Sequence, residues 1–236
     1  MSKLIVHHLP GAWGLPSISP FCLKLDTYLR MMDIPFEVVV DATPFGAPKK
    51  KLPYIEHKGS VIGDSSFIIE YLKQAFACDA NSGLSAQEKA VAHALQRLLE
   101  DSLYWALVYD RWMVDSNWQW FQGIVLGGMP APVRLLLAPT IRRGVRKQLR
   151  GQGIGVHSAQ EIHQIGCRDM AAVADWLGDK PFLMGEAPTD IDAVAYGILA
   201  NLLLAPTVTP IKDAGLARDN LVAYLQRMQG LYFPAE

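Results

Sequence analysis

Short strand-type apolar runs alternate with helical patterns over the first eighty residues. Four runs are short and rich in residues that favour strands: 3–9, 36–42, 52–57 and 61–63. Between and after them, residues 21–32 and 65–76 repeat apolar positions at three- and four-residue intervals, which predicts helices. The chain order therefore predicts a βαβ unit followed by a ββα unit.

The pattern changes near residue 80. After the segment "CDANSGLS" the strand signals stop, and apolar positions recur with helical spacing almost to the end of the chain. The predicted helical segments include 86–113, 138–152, 158–177 and 190–203. Ser158 and Glu161 fit a capping box at the start of segment 158–177, which explains both residues without chemistry. The linker is predicted within residues 77 to 85. It would separate a mixed α/β domain, residues 1–77, from an all-helical domain, residues 85–236.

The segment "SPFC" begins the first predicted helix. Ser19 suits the N-cap and Pro20 the first helical turn. A dithiol redox catalyst needs Cys-x-x-Cys, and here serine occupies the first position. A hydroxyl at a helix N-terminus can instead stabilise the thiolate of a ligand, because such sites lower thiol pKa values to roughly 3.5–7.5. Cys22 remains an alternative reactive thiol, although a small buried side chain is the commoner role.

The dipeptide Leu52-Pro53 stands at the start of a predicted strand. Proline is tolerated there, and X-Pro is the bond for which the cis form costs little. A cis bond would turn the backbone N–H and C=O of Leu52 outward, where they could pair with a bound peptide as an added strand does. A trans proline that simply opens the strand is the alternative.

Asp64 and Ser65 stand where the second predicted helix begins. Plain N-capping explains both residues without any ligand. The functional alternative is that Ser65 binds a carboxylate at the positive end of the helix while Asp64 faces an ammonium group. Together they would then hold the head of an amino acid.

Composition excludes several classes of function. The formal net charge is −1 and the pI about 6.6, so a nucleic-acid partner is not expected. Three scattered cysteines and no secretory signal favour the cytoplasm. The longest apolar run, 198–208, falls short of the roughly 20 residues that span a bilayer. His157, His163 and Cys167 do not make a zinc site, and no metal is expected.

Four segments in this order resemble the glutathione transferase superfamily. "SPFC" is similar to the "CPFC" of omega-type members, "KLPYI" to their cis-proline strand, and "GDSSFIIEYL" to their Glu/Asp-Ser helix start. "GEAPTDIDAVAYG" is similar to the capping element of their helical domain, here Thr189 and Asp192. The resemblance covers nearly the whole chain and implies a thioredoxin-like N-terminal domain. Within the superfamily, the chain most resembles the failed-axon-connections proteins and, more distantly, the metaxins.

The resemblance implies a glutathione site in the N-terminal domain. Leu52, before a cis Pro53, would pair with the cysteinyl part of glutathione through its backbone. Asp64 and Ser65 match the residues that bind its γ-glutamyl end. Lys51, or a neighbouring lysine, would pair with the glycine carboxylate.

The catalytic hydroxyl is expected in the loop before the first helix. Ser19 matches the catalytic position of the family. Ser17 is a near alternative, because "PGAWGLPSI" is longer than the corresponding loop of most members.

The helical domain is expected to supply a pocket for a small hydrophobic electrophile. Its candidate residues are Tyr104, Trp105, Tyr109 and Trp112, although their spacing covers more than one helix face and core packing explains each of them. The expected reaction is attack by the glutathione thiolate on that electrophile, in a homodimer. The alternatives are a binding or scaffold module without turnover, and a glutathione-dependent thiol oxidoreductase that uses Cys22.

Overall fold

The N-terminal part of the protein is built on a four-stranded sheet. A computed structural model describes residues 3–41 and 43–234. The sheet order is β2-β1-β3-β4, in which β1 and β2 are parallel and the other pairs antiparallel. The strands are β1 (Ile5–His8), β2 (Glu37–Val40), β3 (Tyr54–His57) and β4 (Ser60–Gly63). This confirms the predicted strand order, although the predicted end of β2 at Ala42 lies outside the described residues.

Two helices complete this part of the chain. Helix α1 (Pro20–Met31) crosses from β1 to β2, and helix α2 (Ser65–Phe76) follows β4. Both agree with the predicted segments to within a residue. The order is therefore the βαβ plus ββα arrangement of a thioredoxin-like domain.

Strand register brings three chain segments to one edge of the sheet. His7 on β1 lies opposite Tyr54, the first residue of β3, and Tyr54 lies opposite Gly63, the last residue of β4. The end of β1, the start of β3 and the end of β4 therefore meet at one edge, called the upper edge below. The loop to α1 and the start of α2 both begin there.

From residue 86 to residue 232 the described chain consists of helices and the segments that connect them. The described α-helices are α3 (Ala86–Arg97), α4 (Tyr104–Met113), α5 (Asp115–Leu126), α6 (Ala131–Gln152), α7 (Ala159–Leu177), α8 (Asp190–Leu203), α9 (Pro210–Leu216) and α10 (Asp219–Tyr232). A π-helical segment, Leu98–Leu103, joins α3 to α4 without a break. Short 3-10 turns occur at Pro44–Gly46 and Ile154–Val156. The predicted change from a mixed sheet to helices is confirmed.

Helix α1 contributes to two hydrophobic cores. Leu25 and Leu29 pack under the sheet, whereas Leu23 belongs to the core of the helical part. Gly197 on α8 lies so close to α1 that a Cβ there would stand 2.5 Å from the carbonyl oxygen of Pro20. The two parts of the chain are therefore packed backbone to backbone along α1 and α8.

Three helices begin with the same capping box. In α3, α7 and α8 a hydroxyl and a carboxylate three residues apart exchange hydrogen bonds with the backbone. The pairs are Ser85 with Glu88, Ser158 with Glu161, and Thr189 with Asp192. The second and third boxes were predicted from sequence and are confirmed. The third is buried, with Asp192 fully enclosed.

The search for membrane-spanning helices gave a negative result for residues 3–41 and 43–234. No helix there is both long and apolar enough to cross a bilayer.

Candidate functional site

The loop before α1 is fastened to the end of β1. The Ile18 N–H donates to the Pro10 carbonyl at 2.9 Å, and the Ser17 hydroxyl donates to the Leu9 carbonyl at 2.8 Å. Both acceptors directly follow the strand. These bonds hold Ser19, the residue directly before α1, at the upper edge.

The geometry distinguishes the two candidate serines. Ser19 is the N-cap of α1 and is half-buried, and its hydroxyl oxygen accepts the Cys22 N–H at 3.4 Å. Ser17 is fully buried, and its hydroxyl both donates to Leu9 and accepts from the Ser19 N–H at 3.3 Å. Ser19 is therefore the hydroxyl that a ligand can reach.

Cys22 is a buried thiol rather than an exposed nucleophile. Its side chain has no exposed surface, and burial raises the pKa of the Cys22 thiol to about 11, against smaller lowering effects from Ser19 and Ser17. A thiol of this kind carries little thiolate at neutral pH. The structure therefore argues against thiol chemistry by Cys22.

Leu52 presents an unpaired backbone at the upper edge. The Leu52–Pro53 peptide bond is cis. Within the described chain, neither the N–H nor the C=O of Leu52 forms a hydrogen bond. The Pro53 carbonyl accepts the Asp64 N–H at 3.4 Å and so links the start of β3 to the start of α2. An extended ligand can pair with Leu52 as an added strand would.

The start of α2 combines a carboxylate with an unused hydroxyl. Asp64 is the exposed N-cap and accepts the Ser66 N–H at 3.0 Å. Its φ of 87° and ψ of 121° lie in a region that residues other than glycine rarely adopt. The Ser65 hydroxyl makes no hydrogen bond to any described residue. The positive end of the helix, Ser65 and Asp64 together suit a group that carries both a carboxylate and an ammonium.

Two of the three consecutive lysines have partners. Lys49 lies over the ring of Phe67 at 4.2 Å, and Lys50 donates to the Phe45 carbonyl at 2.7 Å. Lys51 is exposed and pairs with no residue that the structure describes. It is therefore the lysine of this run that remains available for a ligand carboxylate.

A buried ion pair supports the start of α2 and was not predicted. The ammonium of Lys24 donates to Glu100 at 2.7 Å and to the Ser66 hydroxyl at 2.9 Å, and Lys24 is only 2% exposed. Burial lowers the pKa of Lys24, and Glu100 counteracts this effect. Gln96 donates to the same hydroxyl at 3.2 Å, and a cleft of about 150 Å³ opens beside these groups. A lone lysine within the apolar run "FCLKL" was the available signal.

Arg111 on α4 fixes the backbone just before Ser19. Its guanidinium donates to the Ile18 carbonyl at 2.8 Å and to the Asn201 side-chain oxygen at 2.9 Å. It also lies over the Trp13 ring at 5.4 Å. No carboxylate of the described residues pairs with it, and burial lowers the pKa of Arg111 to about 10. A buried positive charge therefore stands next to the start of α1.

Two of the four predicted pocket residues lie near α1. Tyr104 packs edge-on against Phe21 with ring centres 4.8 Å apart, and Trp105 contacts Tyr104 at 5.4 Å. Burial raises the pKa of Tyr104. Phe21 follows Ser19 by two residues, so this pair lies beside the start of α1.

The other two predicted pocket residues have ring partners elsewhere. Tyr109 contacts His163 on α7 at 6.1 Å, and Trp112 stacks on Trp118 of α5 at 5.1 Å. All four aromatic side chains are partly buried against the core. The aromatic partners of Tyr109 and Trp112 thus lie on other helices rather than on α1.

The described residues contain no cluster of three or more histidine, cysteine, aspartate or glutamate side chains that could hold a metal ion. The chemistry offered by the upper edge is of another kind. It combines a half-buried hydroxyl at the start of α1, the unpaired backbone of Leu52 and a start of α2 whose groups suit a carboxylate and an ammonium. This set is complementary to a short peptide-like ligand that carries a sulfur.

Family models match both parts of the chain. The glutathione S-transferase N-terminal domain matches residues 20–118, and the glutathione S-transferase C-terminal domain matches residues 166–228.

Curated relatives match along almost the whole chain. The isoprene-epoxide–glutathione S-transferase of Rhodococcus sp. (strain AD45) is 34% identical over 97% of this chain and 99% of its own length. Failed axon connections of Drosophila melanogaster is 32% identical over 93% of this chain, which spans only 56% of that protein. Mouse metaxin-1 is 28% identical over 96% of this chain and 74% of its own length. The predicted resemblance to this branch is confirmed.

A solved structure shows the same fold. The glutathione transferase GSTFuA3 of Phanerochaete chrysosporium superposes with a TM-score of 0.68, covering 99% of this chain and 98% of that one. Its sequence identity is 16%, so the likeness concerns the fold.

Proposed function

Because the chain belongs to the glutathione S-transferase superfamily, we propose that it binds glutathione at the upper edge and transfers the glutathione thiolate to a small hydrophobic electrophile. The binding residues in this proposal are Lys51, Leu52, Pro53, Asp64 and Ser65. The catalytic hydroxyl is that of Ser19. Tyr104 and Trp105 would face the second substrate.

One observation carries the proposal. The unpaired backbone of Leu52 and the helix start at Asp64 and Ser65 are joined through the Pro53–Asp64 hydrogen bond of 3.4 Å. A ligand that pairs with Leu52 through its own backbone would extend its amino-acid head towards Ser65. The γ-glutamyl and cysteinyl parts of glutathione have this chemistry.

The backbone of Asp64 supports a ligand role for its side chain. A non-glycine residue at φ 87° costs of order 1–3 kcal/mol, and glycine would occupy the position without that cost. Capping alone gives a weak reason to keep aspartate, since replacing an aspartate cap by glycine loses only a few tenths of a kcal/mol. In the proposed function, the Asp64 side chain binds an ammonium group, which explains why aspartate rather than glycine occupies this position.

The proposed reaction uses Ser19 as a hydrogen-bond donor. The glutathione thiol loses its proton to water. The Ser19 hydroxyl and the N-terminus of α1 stabilise the resulting thiolate, while the nearby Arg111 charge acts in the same direction. A drop of about two units in the thiol pKa corresponds to roughly 3 kcal/mol in favour of the anion. The sulfur forms a bond to an electrophilic carbon, and the electron pair of the broken bond goes to the leaving atom. For an epoxide this atom is the ring oxygen, which then takes a proton from water.

Epoxides are the first electrophiles to test, because the Rhodococcus relative carries an epoxide in its name. The predicted homodimer and cytoplasmic location remain proposals.

A binding module without turnover is the second candidate. The loop before α1 packs against α5. Trp13 of the loop and Trp120 of α5 have ring centres 5.2 Å apart. This packing places bulky side chains beside the start of α1. The relatives named metaxin and failed axon connections are compatible with such a module.

Calorimetric titration of the Asp64→Gly variant with glutathione tests the proposed site. The substitution removes the carboxylate while relieving the unfavourable backbone, so affinity should fall about tenfold or more although thermal stability is kept or raised. Lys58→Gly is the matched control. Lys58 also has a positive φ, 51°, but it lies in the β3–β4 turn at the opposite edge, so its affinity should not change.

Activity is tested separately with the Ser19→Ala variant. Loss of a hydrogen bond to the thiolate should lower the conjugation rate by about 10- to 100-fold. Ser17→Ala removes no hydrogen bond to the thiolate, so it should not lower the rate in this way. Glutathione binding with no turnover on any epoxide or aryl halide would favour the binding module. Absence of binding to both glutathione and S-hexylglutathione would reject the proposed site.

A further inference from the structure

Helix α6 exposes an unusual surface. Leu135 is 80% exposed and Leu136 is 74% exposed, whereas Ala138 and Leu149 on the opposite side are buried. Four basic residues in the second half of the helix are exposed: Arg143, Arg146, Lys147 and Arg150. The helix thus carries large apolar side chains near its start and four exposed cations in its second half.

Leucines and cations share one face of α6. Arg143, Lys147 and Arg150 follow Leu136 by seven, eleven and fourteen residues, which at 100° per residue places all four within a narrow stripe. Arg146 follows Leu135 by eleven residues and flanks this stripe. This "α6 face", defined by Leu135, Leu136 and the four cations, extends about 20 Å along the helix.

The charge of α6 differs from that of the rest of the protein. The helix contains six arginine and lysine residues and no acidic residue. The whole chain has 22 cationic and 23 acidic residues, so the remainder has 16 cations against 23 acids and a net charge of −7. An anionic surface would therefore attract α6 and repel the rest, which fixes the orientation of approach.

One arginine shows what satisfied cations look like in this helix. Arg142 points inward, donates to the Trp112 carbonyl at 2.7 Å and the Met113 carbonyl at 2.8 Å, and pairs with Asp115. The four cations of the α6 face have no ion-pair partner among residues 3–41 and 43–234. Arg142 anchors the helix while the α6 face remains open to a partner.

We propose that the α6 face binds the surface of an anionic lipid bilayer. Unpaired cations contact lipid head groups, and Leu135 and Leu136 enter the boundary between head groups and acyl chains, as in other interfacial helices. The exposed leucines favour a lipid over a nucleic acid, because phosphate binding gives no reason to expose apolar side chains. This role is independent of the glutathione site at the upper edge.

Vesicle co-sedimentation of the full chain tests the proposal. Vesicles of phosphatidylcholine with about one third phosphatidylserine should bind the protein at low salt, and vesicles of phosphatidylcholine alone should not. About one kcal/mol per cation near the surface corresponds to roughly fivefold in the partition constant. The triple variant Arg143→Gln, Arg146→Gln and Lys147→Gln should therefore bind about 100-fold more weakly.

Two further variants separate the α6 face from net charge alone. A control that removes three exposed cations elsewhere, Lys58→Gln, Lys89→Gln and Arg168→Gln, should bind far better than the α6 triple variant. Changing both exposed leucines to serine should weaken binding about tenfold without altering net charge. Circular dichroism checks the fold of each variant.

Three results would overturn the proposal. They are no binding to anionic vesicles, equal losses in the two triple variants, and binding to a short DNA duplex with none to vesicles.

Discussion

The buried capping box of α8 should be far more important for stability than its two exposed counterparts. Asp192 accepts four hydrogen bonds: from the Leu183 N–H at 2.9 Å, the Thr189 N–H at 2.8 Å, the Thr189 hydroxyl at 3.0 Å and the Tyr224 hydroxyl at 3.2 Å. Glu161 serves the same motif in α7 but is exposed to water. Burial is therefore the main difference between the two carboxylates.

The expected magnitude follows from the donors that Asp192→Ala leaves behind. The two backbone N–H groups cannot turn away, and each unsatisfied buried donor costs about 1–3 kcal/mol. The Tyr224 hydroxyl keeps a second partner, the Asp192 carbonyl at 3.1 Å. Burial raises the pKa of Asp192 despite its hydrogen bonds, so the native carboxylate also carries a desolvation cost that alanine removes. We expect a loss of about 3 kcal/mol in the free energy of unfolding.

Urea denaturation followed by circular dichroism measures this loss. For a chain of this size, it corresponds to a fall in melting temperature of roughly 6–12 °C. The matched control, Glu161→Ala, should change stability little, because water replaces the lost acceptor. Equal losses in the two variants would refute the reasoning that burial of the capping carboxylate sets its contribution.

Two further predictions concern titratable groups. Iodoacetamide at pH 8 should modify Cys78 and Cys167 of the native protein before Cys22, because burial raises the pKa of the Cys22 thiol to about 11. Mass spectrometry measures the order of labelling, and early labelling of Cys22 would contradict the prediction. Burial raises the pKa of three enclosed tyrosines, Tyr28, Tyr196 and Tyr224. The pKa of Tyr196 is raised to about 12. Because the unfolded chain ionises first, stability should be complete below pH 10 and fall as pH rises towards 12. Absorbance at 295 nm measures the ionisation of the tyrosines during this pH titration. Titration of all eight tyrosines near pH 10 before the protein unfolds would contradict the prediction.

Local patterns were sufficient to predict the fold order. Strand-type runs, the Pro20 helix start and the capping signals at Ser158 and Thr189 depend on residues close together in sequence, and each is confirmed. The predicted segment 86–113 is also a continuous run of helix. Its π-helical part, Leu98–Leu103, was not predicted because the change in hydrogen bonding leaves no distinct hydrophobic period.

The candidate site was predictable only where the signal is local. Leu52-Pro53 and Asp64-Ser65 are adjacent pairs, and the sequence places each at the start of an element. The Lys24–Glu100 pair joins residues 76 positions apart, and Arg111 reaches Ile18 across 93 positions. Contacts of this kind depend on how helices pack, which a single sequence does not reveal.

The choice between Ser17 and Ser19 shows the same limit. Both hydroxyls lie in the loop between β1 and α1, and nothing in the letters "SIS" ranks them. The ranking comes from the Leu9 carbonyl, which accepts a hydrogen bond from the Ser17 hydroxyl after the loop folds back on β1.

The close approach of α1 and α8 limits how sequences of this kind can recombine. The boundary near residue 80 looks like a natural place to join the N-terminal half of one relative to the helical half of another. Gly197 nevertheless lies against the backbone of Pro20, and Leu23 packs into the helical core. A functional chimera would therefore have to take α1 and α8 from the same parent protein. The contact between these two helices, rather than the linker, limits which halves can be combined.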